Sequence, residues 1–438
     1  MLRRQFLLAM AIAAGSARLN AAAAEDGESV LRWNRIAGEI VPAAAGPIVD
    51  SRVMAILHAA IHDAVNGIER RYQPYTADLS FPGASLDAAV ARAARDVMLA
   101  LVTAQHDRIE KEYAAALANV KDAVARERGV VLGQQAAREN LERRASDGVA
   151  PGPWPPLTGP IAEPPYQPSG EPGDYAFTPP FDAPPLGPVA LFPGWGRLAP
   201  FAIRLDVHRL PGPDSLASAR YARDFNLLKS VGSLHSSARN ADQTETAFFW
   251  FESESMWNDI ARGMIQRRAL NAWHAARILA LVNFALADGC IASFEAKYRF
   301  RFWRPYTAIR AAAADGNDFT QADPEWIPLL WTPAGQPPKF LIPPIPDYPS
   351  TAAVTSAAAA EVLRAHLGED VRFELTSVTL PGVTRRYTSF EQAAREAAWS
   401  RVYGGIHFIR AIEDGASQGR GIGREISHML PHSGRRAQ

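Results

Sequence analysis

Sixteen of the chain's 34 prolines fall between residues 151 and 200. Each proline fixes φ and removes a backbone donor, so a segment this dense in proline forms neither helix nor central strand. It is expected to run extended over a long distance. Its aromatic residues, Trp154, Tyr166, Tyr175, Phe177, Phe181, Phe192 and Trp195, have little use in a free linker, which points to a strap lying on a packed surface. The strap, taken as 151–214, divides the chain into an N-terminal region (25–150) and a C-terminal region (215–438).

Both flanking regions read as helical. Between Leu86 and Glu142 there is no proline, and glycine occurs only at 129 and 133; in this alanine-rich composition that predicts two or three long helices. Upstream, Val53, Ile56, Leu57, Ala60, Ile61 and Val65 form one stripe at helical spacing, with Asp50 or Ser51 as N-cap. After the strap, helical pattern returns at 215–231, 258–288 and 291–302, then from Ser350 to His366, 389–402 and 407–430. A Val/Leu/Thr-rich stretch from Phe373 to Tyr387 predicts a short hairpin. Strand signal is otherwise sparse, so the fold class is mainly α, with helices bundled around a site.

Lysine plus arginine and aspartate plus glutamate both number 46. With no dominant basic block, nucleic acid is not an expected partner. The single cysteine, Cys290, excludes an intramolecular disulfide and sits in an apolar run as a small core residue. At the N-terminus, Arg3-Arg4 precede an apolar stretch, and Ala21 to Ala24 offer a small-residue cleavage site. Residues 1–24 thus read as a twin-arginine export signal, and the mature chain is expected in the periplasm or secreted. The most apolar later stretch, 269–294, is interrupted by Asn271, His274, Arg277, Asn283 and Asp288 and is not expected to span a membrane.

Three C-terminal segments carry chemistry. Lys297-x6-Arg304-Pro305 places two cations seven residues apart; in one continuous helix both leave the same face, and Pro305 ends or kinks that helix. A guanidinium fork and an ammonium point charge together suit a multiply charged oxyanion. Pro349-Ser350-Thr351-Ala352 opens a helix whose unpaired N–H groups and dipole attract anions. Ser400-Arg401-x5-His407 adds a third cation and an imidazole around Gly404-Gly405. Taken singly, these features have bland readings: a solvated basic face, a serine N-cap, a loop glycine pair.

The ordered set resembles the signature of the vanadium-dependent haloperoxidase and type-2 phosphatidic acid phosphatase superfamily, K-x6-RP, PSGH and SR-x5-H. Trp33-Asn34-Arg35-Ile36-Ala37, His58-Ala59-Ala60-x-x-Asp63-Ala64-Val65-Asn66, Trp195-Gly196 and Phe302-Trp303-Arg304-Pro305 look like segments of its large bacterial haloperoxidase-like branch. The resemblance implies that His407 ligates vanadium in a haloperoxidase or attacks phosphorus in a phosphatase. Lys297, Arg304, Ser350, Arg401 and a backbone N–H at Thr351 would hold the oxyanion oxygens. It implies vanadate as cofactor, or phosphate in a phosphatase, with hydrogen peroxide and a halide, or a phosphate ester, as substrates. A homo-oligomer is compatible with it.

Two departures matter. The family's glycine is Thr351, and its acid–base histidine is Ala352, a loss set against the roughly 10²–10⁴-fold that such catalysis contributes. Asp347 and Tyr348 stand near enough in sequence to be candidate replacements. The family's acidic residue four places after the last histidine is Ala411, leaving Glu413 or Asp414 as candidates to orient His407. Three readings therefore stand: a haloperoxidase-like oxidoreductase, an acid phosphatase with a phospho-His407 intermediate, and a non-catalytic oxyanion binder. His58 and His62 are spaced i, i+4, but 59–61 lack the glutamate of a zinc-protease helix, and a structural role is expected. His428 and His432 are expected at the surface.

Overall fold

A computed structural model describes residues 27–41, 47–76, 78–102, 104–148, 165–331 and 341–434. The proposed export signal, including Arg3 and Arg4, lies outside the described residues, as does the 151–164 part of the strap with Trp154.

The N-terminal half contains α1 (residues 27–41), α2 (Pro47–Ile68), α3 (Leu86–Leu101), α4 (His106–Ala118) and α5 (Ala123–Arg143). The stripe on α2 is fully buried. α2 begins at Pro47, so Asp50 lies in its first turn and does not cap it as expected. Ser85 and Asp122 cap α3 and α5 through their side chains. After the strap come α6 (Ala219–Val231), α7 (Ala241–Phe249), α8 (Ser253–Arg267), α9 (Ala272–Phe300) and α10 (Pro305–Arg310). Then follow α11 (Thr351–Leu367), the antiparallel pair β1 (Phe373–Thr376) and β2 (Thr384–Tyr387), α12 (Phe390–Tyr403) and α13 (Ile409–Ser427). The fold is mainly α, and the hairpin lies where the sequence placed it.

α9 is the axis of the molecule. It is apolar on all sides and nearly every residue from Ala272 to Lys297 is buried, as such a helix requires. By length and composition it could cross a membrane, but here it is a core helix. The polar residues that interrupt it are each satisfied. Asn271 caps it, Arg277 donates to the Leu430 and Met429 carbonyls, and Asn283 bonds Asn258. Asp288 accepts the backbone N–H groups of Phe201, Ala202 and Ile203 at 2.6, 2.8 and 3.1 Å. The charge that looked like a helix break at 288 is therefore a pin for the end of the strap, and α9 runs through it. Trp195 and Gly196 also pack on α9: a Cβ at Gly196 would come within 2.2 Å of the Glu295 nitrogen. The strap's Tyr166, Tyr175 and Phe177 form a ring cluster with Tyr298 of α9.

α11 and α13 lie in backbone contact. Gly419 and Gly423, one turn apart on α13, face α11 so closely that a Cβ would come within 2.1 Å of the Val354 carbonyl oxygen and 2.5 Å of that of Ala358. This approach sets the start of α13 beside the start of α11. Alanine at 419 would raise helix propensity by about 1 kcal/mol yet force the helices apart. Overpacking typically costs about 1–3 kcal/mol or more, so Gly419→Ala is expected to lower the urea midpoint at an unchanged m-value; a stabilised variant would contradict the close contact.

Candidate functional site

The three segments meet where α9 ends and α11 and α13 begin, over a second hydrophobic cluster that includes Phe302, Trp303, Tyr348, Ala353, Val402 and Phe408. One expectation fails here. Lys297 and Arg304 are not on a common helix. α9 stops at Phe300, Arg301 adopts a left-handed conformation (φ 53°), and Arg304 is the N-cap of α10 with Pro305 in its first turn. Pro305 thus starts a helix. The chain reverses because Arg301 is tied to the strap by a bidentate pair with Asp174 at 2.9 and 2.7 Å and lies over the Tyr166 ring. Arg299 pairs with Glu295 on the outside.

Arg304 is fully buried. Its Nε donates to the Ile345 carbonyl at 2.7 Å, and Nη1 donates to the Ile406 carbonyl at 2.8 Å while lying 3.1 Å from His407 Nε2. Its Nη2 has no acceptor among the described residues. Arginine has no lone pair to offer, so the nitrogen it faces on His407 is the one bearing the lone pair. His407 is therefore held neutral with its proton on Nδ1, an assignment that follows from its neighbours. Burial pushes its pKa well below the usual histidine range, and the charges of Arg304, Lys297 and Arg401 push in the same direction.

Ser350 is fully buried and forms the N-cap position of α11, yet its hydroxyl caps nothing: Oγ has no partner among the described residues. Its backbone N–H donates to the Ala411 carbonyl, which fastens α11 to α13. First-turn N–H groups of a helix lack intrahelical acceptors, so the start of α11 is rich in donors. Thr351 Oγ1 instead bonds Ser293 at 3.0 Å. Ala352 is buried and brings no titratable group.

The other two cations are close but engaged. Lys297 Nζ donates to the carbonyls of Pro346, Asp347 and Pro349 at 2.9, 3.0 and 2.5 Å. All three ammonium donors are thus spent on the loop that carries Ser350. Burial, then Arg304, pushes its pKa well below the usual lysine range, and Asp347 opposes this. Arg401 binds the Trp250 and Phe251 carbonyls and the Ser253 hydroxyl.

Neither carboxylate proposed on α13 serves His407. Glu413 pairs with Arg220 at the surface, and Asp414 accepts from Tyr348 Oη at 2.5 Å and pairs with Arg410 at 2.7 Å. Tyr348 is thereby committed and is no acid–base substitute. Asp347 is the carboxylate present, fully buried, with Oδ1 2.9 Å from His407 Nδ1 and 3.8 Å from Arg304 Nη1. Burial pushes its pKa up to about 7 against the pull of Arg304, Lys297 and the Phe408 N–H.

Away from the site, His58 is buried against Asn34 at 2.7 Å, and His62 contacts the Gln73 carbonyl at 3.0 Å; both are structural. Cys290 is buried, and His428 and His432 are exposed.

The arrangement is built for an oxyanion: a buried guanidinium nitrogen and a buried hydroxyl lacking acceptors, a helix start, and a neutral imidazole presenting a lone pair. Known proteins resemble this chain in sequence and in fold. Residues 277–433 match the model of the VCPO second helical-bundle domain. The vanadium chloroperoxidase of Curvularia inaequalis is 26% identical over 400 residues, an alignment covering 76% of this chain. The chain spans 63% of the length of that relative. A bacterial vanadium-dependent iodoperoxidase superposes with a TM-score of 0.75 at 24% identity, covering 92% of this chain and 96% of its own. An apo-type bacterial vanadium-dependent chloroperoxidase gives 0.68 at 17% identity, covering 88% and 93%.

Proposed function

We propose that this chain, which belongs to the vanadium-dependent haloperoxidase superfamily, holds vanadate between His407, Arg304 and Ser350 and acts as a haloperoxidase-like oxidoreductase on hydrogen peroxide and a halide. The observation that carries this is two buried donors without acceptors among the described residues: Arg304 Nη2, on the guanidinium that faces the His407 lone pair, and Ser350 Oγ, at the helix start tied to α13 through the Ala411 carbonyl. A buried unsatisfied donor costs about 1–3 kcal/mol, and an oxyanion relieves both at once. When bound, vanadate supplies the activation of peroxide toward a halide. The chain supplies the rest. His407 offers Nε2 to the central atom once Arg304 Nη1 yields that nitrogen. Arg304 and the start of α11 hold negative charge in a site closed to water, where electrostatic stabilisation is strongest. Lys297 keeps the 346–349 loop, and with it Ser350, in place. With Ala352 in the acid–base position, no side chain there gives or takes a proton, and turnover is expected to be slow.

The neutral, lone-pair-bearing His407 also suits attack on phosphorus, and Ala352 would restrict a phosphatase to esters with good leaving groups. Loading with orthovanadate is expected to produce peroxide-dependent bromide or iodide oxidation that His407→Ala abolishes. Vanadate binding without oxidation, together with His407-dependent release of nitrophenolate from its phosphate ester, would assign the phosphatase instead. Binding with neither activity would leave a non-catalytic oxyanion binder. Residues 1–24 we propose as a twin-arginine export signal, read by the N-terminal sequence of protein recovered outside the cytoplasm.

A further inference from the structure

Family resemblance directs attention to α13 for the group that orients His407, and α13 does not provide it. The residue four places on is Ala411, and both nearby carboxylates are bound elsewhere. We infer that Asp347, from the loop before α11, is the positioning residue that fixes His407 as the Nδ1–H tautomer and so presents the Nε2 lone pair to the oxyanion. This rests on the oxyanion-binding reading of the site.

Geometry on both sides of the ring supports it. On one side, Nε2 lies 3.1 Å from Arg304 Nη1, a permanent donor. On the other, Nδ1 lies 2.9 Å from Asp347 Oδ1, a close ion-pair contact in which neither atom has an aligned hydrogen-bond partner among the described residues, and the Asp347 backbone carbonyl faces the same side of the ring. A donor at Nε2 and a carboxylate at Nδ1 select the same tautomer, which is the arrangement that ligating histidines use.

Asp347 is itself held by its backbone. Its N–H donates to the Phe302 carbonyl at 2.8 Å, and its carbonyl accepts from Lys297 at 3.0 Å. Its carboxylate also faces the Phe408 N–H, at the start of α13, where no side chain caps the helix. A negative charge is favoured at that end of a helix. One carboxylate thus lies between the starts of α10 and α13, beside Arg304 and His407. This explains why Lys297 spends all three donors on residues 346–349: it anchors the loop that aims Asp347.

The test reads the tautomer directly. Ring nitrogen shifts in ¹⁵N-histidine-labelled protein separate the two tautomers, and His407→Gln identifies the His407 signals among those of the 10 histidines. Without added vanadate, the wild type is expected to show protonated Nδ1 and bare Nε2. Asp347→Asn is expected to give a mixture or the opposite tautomer and to weaken orthovanadate binding by calorimetry about 10–100-fold, with Asp347→Glu restoring part of both. A wild-type spectrum with protonated Nε2 overturns the inference, whether or not any variant folds. So does a folded Asp347→Asn protein with wild-type shifts and affinity. The expected tautomer in a wild type that binds neither vanadate nor phosphate would support the role of Asp347 and sink the oxyanion reading.

Discussion

Ala352→His is expected to raise vanadate-dependent halide oxidation by about 10²–10⁴-fold, the range that a positioned acid–base group contributes. This follows from the proposed reading of the site, in which the oxyanion-holding groups are present. Arg304 and Ser350 carry buried donors without acceptors among the described residues, and His407 is neutral with its lone pair turned to Arg304 Nη1. What is absent is a group that can give and take a proton beside the oxyanion, and Tyr348 cannot serve because its hydroxyl is bound to Asp414. Residue 352 lies in the first turn of α11, next to Thr351 and Ser350. There the helix dipole disfavours an imidazolium, which keeps an introduced histidine near the protonation balance that general catalysis uses. Rates of halide oxidation and nitrophenyl phosphate hydrolysis, measured on parent, Ala352→His and the double variant with His407→Ala, decide the matter. The gain should vanish in the double variant. A gain confined to phosphate ester hydrolysis would reassign the chemistry, and no gain in either, with vanadate bound, would mean the scaffold no longer aligns a substrate.

The site's membership was legible in the sequence; its wiring was not. The ordered motifs and the family they resemble named Arg304, Ser350 and His407, whose three segments the fold brings together. The reading of Lys297 and Arg304 as partners on one helix face failed because periodicity cannot anticipate the left-handed Arg301. Its side chain pairs with Asp174, 127 residues away in the strap. The role of Asp288 as a pin was not legible for a similar reason, since its partners at 201–203 are far off in sequence. Glu413 and Asp414, the acidic candidates for orienting His407, follow it closely in sequence, whereas the carboxylate that lies beside it belongs to Asp347, in the loop before α11. Helices with strong apolar periodicity or alanine-rich composition, such as α2, α3, α5 and α11, were visible because their signal is local. α7, nine residues with a capping box of Asn240 and Gln243, was missed because so short a helix carries little periodicity.

Asp288→Ala is expected to be the most damaging single change away from the site. The substitution would leave three backbone N–H groups of the strap, at Phe201, Ala202 and Ile203, without their acceptor. At about 1–3 kcal/mol for each donor, the loss is on the order of 3–9 kcal/mol, a large share of a typical domain's stability. The deficit should depend on pH in a direction opposite to that of an ordinary paired carboxylate. Burial raises the Asp288 pKa to about 6 from 3.8, outweighing the three N–H donors and Arg144. The folded state therefore binds the proton more tightly than the unfolded chain. Between those two values wild-type stability falls as pH rises, by up to about 3 kcal/mol for a shift of two units. The alanine variant lacks this dependence, so its deficit should be greatest near pH 4 and smaller above pH 6. Urea unfolding of both proteins across that range measures it. A deficit that instead grew with pH would mean that the three N–H donors outweigh burial and that the ionised pin is the preferred one. The strap would then be fastened to α9, the helix that leads to Lys297, by charge as well as by hydrogen bonds.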